Sequence, residues 1–195
     1  MAQQAKSARG ADRRERILRS AAELMAQHGY SVVSMAQIGS AAGIVGSGVY
    51  RHFDSKATIL GELLEHVVDA MSTATEQTVA AVPSGVARLE AMIRRQTEIA
   101  VANRPHVAVY LRDSGNLPPA ELHALRRQQR GLVEAWVDQF ALAAPQTDVG
   151  ELRAVVHAVF AVTNSASSYD STLPPERLIA TLSKIAIAAA LAGIR

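Results

Sequence analysis

The sequence of 195 residues contains no cysteine. That excludes a disulfide framework and a thiolate metal site, and it fits a reducing compartment. Aromatic residues are scarce, with one Trp, four Tyr and three Phe, so a core must be built mainly from Ala, Val, Leu and Ile. No long hydrophobic run is present. The late apolar stretch Ile185 to Ile194 falls short of the roughly 20 residues that span a bilayer. The opening MAQQAKSARGADRRER lacks the apolar segment of a secretory signal. A cytoplasmic protein without membrane contact is expected. Sustained apolar–polar alternation, the mark of a half-buried strand, is also missing. The six histidines show no short ligand spacing such as His-x3-His, so no metal is expected, and no cofactor either. There is no Gly-x-Ser-x-Gly elbow. An all-helical enzyme acting on a CoA thioester therefore stands only as an alternative.

What is present is helical periodicity along nearly the whole chain. In the first helix Ile17, Ala21, Leu24 and Met25 share a face, and Gly29 ends it. Ser34 and Gln37 form a capping-box pattern opening a second helix, which Gly43 breaks after Ala42. A short third helix is predicted over 45–53, and a long fourth helix, capped by Asp54 and Ser55, over 56–81. Breaks containing Pro, Gly, Asn and Asp then separate helices near 85–102, 106–112, 119–143, 149–168 and 175–193. This reading gives an all-α fold of about nine helices. Residues 1–10 read as a flexible basic arm, 11–56 as a small three-helix unit and 57–195 as a larger bundle.

Charge divides along the same line. Residues 1–56 hold eight Lys or Arg against four Asp or Glu, and residues 57–195 hold twelve against fourteen. A basic front on a slightly acidic body points to a polyanionic partner for the front. A nonspecific architectural DNA binder would need broader basicity than the net +2 of this chain.

Within the front, small Gly39, turn-forming Gly43 and apolar Val49 are spaced as a helix-turn-helix requires. A small residue lets two helices approach, a glycine takes the tight turn, and an apolar residue pins the second helix to the first. Ile38, Ala42, Ile44, Val49 and Phe53 would form a small core with Leu18 and Met25. The ordered set RRERILRSAAELMAQHGY, SMAQIGSAAGI and GVYRHFDSKATIL resembles the TetR family of transcriptional regulators.

That resemblance implies an N-terminal helix-turn-helix domain, a C-terminal bundle for ligand binding and dimerisation, and roles at matching positions. Ser34 would cap the second helix and donate to a phosphate. Tyr50 and His52 would bond the DNA backbone, and Lys56 would grip a phosphate. Residues Val45, Gly46, Ser47 and Gly48 would face base edges, since recognition helices read with their leading residues. Gln37 would reach a base or a phosphate. The family usually has Ser or Thr where this chain has Val45, and a larger polar residue at Gly46. Gly46 and Gly48 are read as letting the backbone press close to DNA, with Arg51 supplying the base reading that short Ser47 does not. Alternatively the glycines merely loosen the helix and Arg51 is solvated or on a phosphate. Lys6, Arg9, Arg13 and Arg14 are either an arm reaching an adjacent groove or a solvated tail.

A two-fold DNA site calls for a homodimer, expected through the last two helices. The candidate faces are Ile185, Ala188, Ala189 and Ala192 on one, and Leu152, Val155, Val156 and Val159 on the other. Polar residues among apolar ones in the body are candidate ligand contacts: Asn103, His106, Tyr110, Arg126, Arg127, Arg130, Trp136 and Asn164. The three arginines, near one turn of one helix, resemble a segment in family members that sense acyl-CoA thioesters, where such an edge would hold phosphates. Another apolar or aromatic effector, or a solvated charge run, are the competing readings. The function implied is a ligand-responsive repressor of a palindromic operator.

Overall fold

The computed structural model describes residues 2–44 and 46–194, with side chains for 10–44 and 48–194. Among the described residues there is no strand. Eight α-helices follow one another: α1 (Ala2–His28), α2 (Met35–Ala41), α3 (Lys56–Ala81), α4 (Val86–Ala102), α5 (Arg104–Asp113), α6 (Pro119–Ala143), α7 (Val149–Asn164) and α8 (Pro175–Ala192). The short third helix expected over 45–53 is instead a 3-10 helix at Gly46–Arg51. Two glycines in so short a segment oppose an α-helical nucleus, and 3-10 turns are used in such short pieces. The segment expected to hang as a basic arm also differs, because the backbone of α1 is helical from Ala2. Ala, Gln, Lys and Arg dominate there and favour helix. A 3-10 turn at Ser165–Ser167 completes the stretch expected as the end of the 149–168 helix.

Local chemistry sets the boundaries. Gly29 (φ 90°) and Gly43 (φ 67°) take left-handed conformations just after α1 and α2, which an L side chain would strain. Ser34 and Gln37 form the full capping box at the start of α2, and the Ser55 hydroxyl accepts from the Thr58 amide to open α3. Each such cap is worth about 1 kcal/mol.

Two large hydrophobic clusters result. The first joins Ile17, Ala21 and Met25 of α1, Ile38 of α2, Val49, Phe53, and Ile59, Leu60, Leu63, Leu64 and Val68 of α3. Leu18 and Ile44 pack on its edge, half-buried. The second takes Val67, Met71 and Ala74 of α3 with Leu89, Ile93, Trp136, Phe140, Leu152, Val156, Val159, Ala186 and Ala190. Packing therefore runs unbroken across residue 56, because α3 contributes to both clusters. Leu152, Val156 and Val159 face this second core and not the surface. The larger side chains of α7 turn inward and leave Ala154, His157, Ala158 and Ala161 exposed. On α8 the expected residues Ile185, Ala188, Ala189 and Ala192 are exposed.

Gly48 owes its identity to a neighbour within the chain. A Cβ placed there would lie 2.5 Å from the Ile44 Cγ2 methyl. The prediction is that Gly48→Ala destabilises by about 1–3 kcal/mol through overpacking. Urea denaturation should also show that Ile44→Ala/Gly48→Ala costs less than the sum of the two single changes, the mark of contacting residues.

Candidate nucleic-acid interface and helix-bundle cavity

The cap of α2 is self-contained. The Ser34 amide and hydroxyl both donate to Gln37 Oε1 at 2.8 Å, and the Gln37 amide donates to Ser34 Oγ at 3.3 Å. Both residues are exposed, but the Gln37 carboxamide oxygen is already occupied. Tyr50 is 58% exposed, Arg51 is exposed and His52 is half-buried. Val45 lies outside the described residues, as do the side chains of Ser47, Lys6 and Arg9. A Cβ at Gly48 would meet the Ile44 Cγ2 methyl, so this glycine makes room within its own turn.

Three cations brace the helix-turn-helix unit against the body. Lys56 Nζ donates to the carbonyls of Tyr30 at 2.7 Å, Val33 at 2.8 Å and Ser31 at 3.4 Å, and sits 4.3 Å from the centre of the Tyr30 ring. An ammonium has three protons, and here all three have acceptors inside the protein. Lys56, expected on a phosphate, thus holds the α1–α2 turn. Arg14 of α1 forms a two-point ion pair with Glu62 of α3 and stacks 4.5 Å over the Phe53 ring. It is not a free arm residue. Arg112 of α5 donates to the carbonyls of Ala26, at 3.0 Å, and Met25. Those carbonyls belong to the last turn of α1, where a cation meets the negative end of the dipole; that of Met25 also accepts the Gly29 amide at 2.8 Å. Asp113, only 6% exposed, accepts from the same guanidinium at 3.0 Å.

A cavity of about 390 Å³ opens among α3, α4, α5, α6 and α7. That is within the range of small-molecule sites. Val68, Met71, Leu132, Val133 and Phe160 form its apolar wall, and Gln96, Tyr110 and Asn164 its inner polar groups. The Asn164 Oδ1 atom is buried without a hydrogen-bond partner. Burial raises the Tyr110 hydroxyl to about 12, so it stays protonated. Gln96 Nε2 meets only the Met71 sulfur, at 3.2 Å. A second cavity, of about 570 Å³, lies between α1, α3 and the α4–α5 junction, with Asn103, His66 and His106 in its wall. His106 is held below its ordinary value by burial first, then by His66 and Arg19, and its ring centre lies 5.7 Å from that of His66. Among the described residues no group of three or more His, Asp or Glu could hold a metal ion. Among the described residues, likewise, no helix is long and apolar enough to cross a membrane.

Comparison with known proteins bears on this arrangement. Residues 17–63 match the family model described as bacterial regulatory proteins, tetR family. Residues 82–169 match that of the tetracyclin repressor-like C-terminal domain. The chain belongs to the TetR family of transcriptional regulators. Such proteins are DNA-binding regulators and not enzymes. One TetR-family relative is the HTH-type transcriptional repressor KstR2 of Rhodococcus jostii (strain RHA1), 34% identical over 98 residues. That match spans 50% of this chain and about half, 48%, of the relative. The ketosteroid transcriptional regulator KstR2 of Mycobacterium tuberculosis superposes with a TM-score of 0.78 at 21% identity, over 90% of this chain and 93% of that one. AibR, in complex with isovaleryl coenzyme A and operator DNA, superposes with a TM-score of 0.73 at 19% identity, over 89% and 97%. At these identities the structural likeness shows the fold.

Within this TetR-family frame the expected ligand residues separate. Tyr110 and Asn164 line the cavity beside α3, while Asn103 and His106 line the other. Trp136 lines neither. It is buried, donates to Thr75 Oγ1 at 2.9 Å and packs edge-on against Phe160. Arg126, Arg127 and Arg130 are exposed and absent from both cavity walls. They fall outside the stripe of α6 formed by Leu125, Leu132, Val133 and Trp136. Sequence reading missed Gln96, a polar residue on the apolar face that also carries Leu89, Met92 and Ile93. It also missed Gln129, His157, Ser165 and Ser168 at the cavity.

Two measurements check these roles. On operator DNA, Arg51→Ala should flatten the log–log salt dependence by about 0.9 if this arginine meets a phosphate, and should relax sequence preference instead if it reads a base. Lys56→Met should leave that slope unchanged while lowering the thermal midpoint. For His106, the depressed value means the unfolded chain binds more protons, so its contribution to stability is lost as pH falls below 6.5. Denaturation between pH 7.5 and 5 should show a smaller acid loss in His106→Asn than in the parent.

Proposed function

We propose that this chain is a homodimeric cytoplasmic repressor, released from a palindromic operator when a small, largely apolar effector enters the cavity among α3, α4, α5, α6 and α7. One observation carries the reading. Tyr110 and Leu111 line that cavity, and the next residue, Arg112, holds the last carbonyls of α1. An effector that shifts α5 therefore pulls directly on the helix-turn-helix unit. Half-sites one turn apart, about 34–36 Å, tolerate little change in the separation of two recognition segments. The linkage is reciprocal, so the effector binds the DNA complex more weakly than the free protein.

The dimer forms through α7 and α8, on the small-residue face of Ala154, Ala158, Ala161, Ala188, Ala189 and Ala192, in a four-helix arrangement. DNA contacts come from Ser34, Tyr50, Arg51, His52 and the leading residues 45–48. The likeness to AibR, solved with isovaleryl coenzyme A, favours a second reading of the effector as an acyl-CoA thioester. Its acyl group would occupy the cavity, with its phosphates outside on Arg126, Arg127 and Arg130.

Selection of DNA from a random pool, followed by fluorescence anisotropy, tests the reading. One palindrome should bind at least a hundredfold more tightly than random DNA, and Ala188→Arg should abolish both the dimer and the preference. Arg112→Gln should weaken operator binding about tenfold, close to 1.4 kcal/mol, with the dimer intact. Equal affinity for all sequences would instead identify a nonspecific architectural binder.

A further inference from the structure

The cavity among α3 to α7 has no Lys, Arg, Asp or Glu in its wall. Its inner polar groups are the carboxamides of Gln96 and Asn164 and the hydroxyl of Tyr110, and its one imidazole, His157, stands exposed at the rim. Gln96 is 2% exposed, and its amide nitrogen has only a thioether to meet, a weak acceptor. The Asn164 carboxamide oxygen has no partner at all. A buried acceptor without a donor is costly, and native structures leave few of them. A buried carboxylate or ammonium in the same place would cost far more, with no opposite charge to meet it.

We infer that the effector's buried end is an uncharged, mainly hydrocarbon group carrying one hydroxyl or similar donor, which bonds Asn164 beside Tyr110 and Gln96, and that free carboxylates are rejected. This inference rests on the effector reading of the cavity and narrows it. The shared chemistry could come from a free neutral molecule or from the acyl part of a CoA thioester. Apolar contact with Met71, Leu132, Val133 and Phe160 supplies affinity. The three neutral polar groups supply discrimination, because a site built to hydrogen-bond a partner rejects analogues that leave it unpaired.

Three probes on one ten-carbon chain test this: decanol, decanoate and 10-hydroxydecanoyl-CoA, whose acyl end carries the same hydroxyl. The single tryptophan, Trp136, lies edge-on at 4.9 Å from the cavity residue Phe160, so its emission reports occupancy, with calorimetry as the second readout. At pH 7.5 and without DNA, decanol should bind at least tenfold more tightly than decanoate. Asn164→Leu should weaken decanol about fivefold or more while far-ultraviolet circular dichroism and dimer mass are unchanged. Decanoate binding as tightly as decanol, absence of decanol binding, or an unchanged decanol affinity in Asn164→Leu would overturn the inference. 10-Hydroxydecanoyl-CoA binding more than tenfold tighter than decanol, with the gain lost on replacing Arg126, Arg127 and Arg130 by Ala, would make the source a thioester. Equal binding of the two would make it a free neutral molecule. Anisotropy on operator DNA separates the two levels. Decanol that binds by these rules yet releases no DNA would remove effector control and leave the ligand class standing. Release by decanoate alone would do the reverse.

Discussion

The burial of α3 along both halves of its length is the constraint on which the rest of the molecule depends. Its first turns give Ile59, Leu60, Leu63 and Leu64 to the cluster beneath the helix-turn-helix. Its later turns give Val67, Met71 and Ala74 to the cluster of the bundle. A helix of 26 residues at 1.5 Å per residue is about 39 Å long, enough to serve two cores without a hinge. The helix-turn-helix unit has too few apolar residues of its own to form a separate core of any size. It borrows one from α3, and so inherits the position of that helix.

The braces across the boundary follow from where backbone carbonyls run out of partners. The last turn of α1 and the loop behind it leave several carbonyls unpaired by the helix itself. Arg112 arrives from α5 and Lys56 from the first turn of α3 to take them. A lysine in the first turn of a helix meets the unfavourable end of the dipole. Three acceptors and the face of Tyr30 offset that cost. Buried Asp113 holds the Arg112 guanidinium from the other side. The residues that connect cavity to DNA surface are thus placed by the same accounting of donors and acceptors that ends a helix.

Much of this was legible in the residue pattern. Gly29, Gly43, Ser34, Gln37 and Ser55 mark their boundaries through local backbone chemistry, which needs no distant partner. Ile38, Ala42, Val49, Phe53 and Met25 were readable as core because their spacing fixes one face. What could not be read were contacts set by tertiary packing. Spacing along α7 marks a stripe of Leu152, Val156 and Val159, but not which side of the helix is outside. Arg112 reaches a helix 86 residues away, and nothing local distinguishes it from Arg126 or Arg130. Trp136 looked like a ligand contact because it is aromatic and polar-tipped, yet Thr75 from α3 satisfies its N–H inside the core. The Ile44 methyl that a Cβ at Gly48 would meet, four residues earlier, is likewise a contact of packing that spacing does not announce.

The paired hold of Lys56 and Arg112 on residues 25–33 has a consequence in time. Ser31 and Val32 are exposed, and a surface loop of that kind ordinarily opens and closes on its own, at little free-energy cost. Here both its ends, Tyr30 and Val33, are fastened to Lys56 of α3, and Arg112 of α5 holds the helical turn that leads into it. Opening it requires the Lys56 clamp to release all its acceptors, or α3 to loosen with it. The turn ahead of α2 therefore moves on the clock of the whole molecule and not on that of a loop.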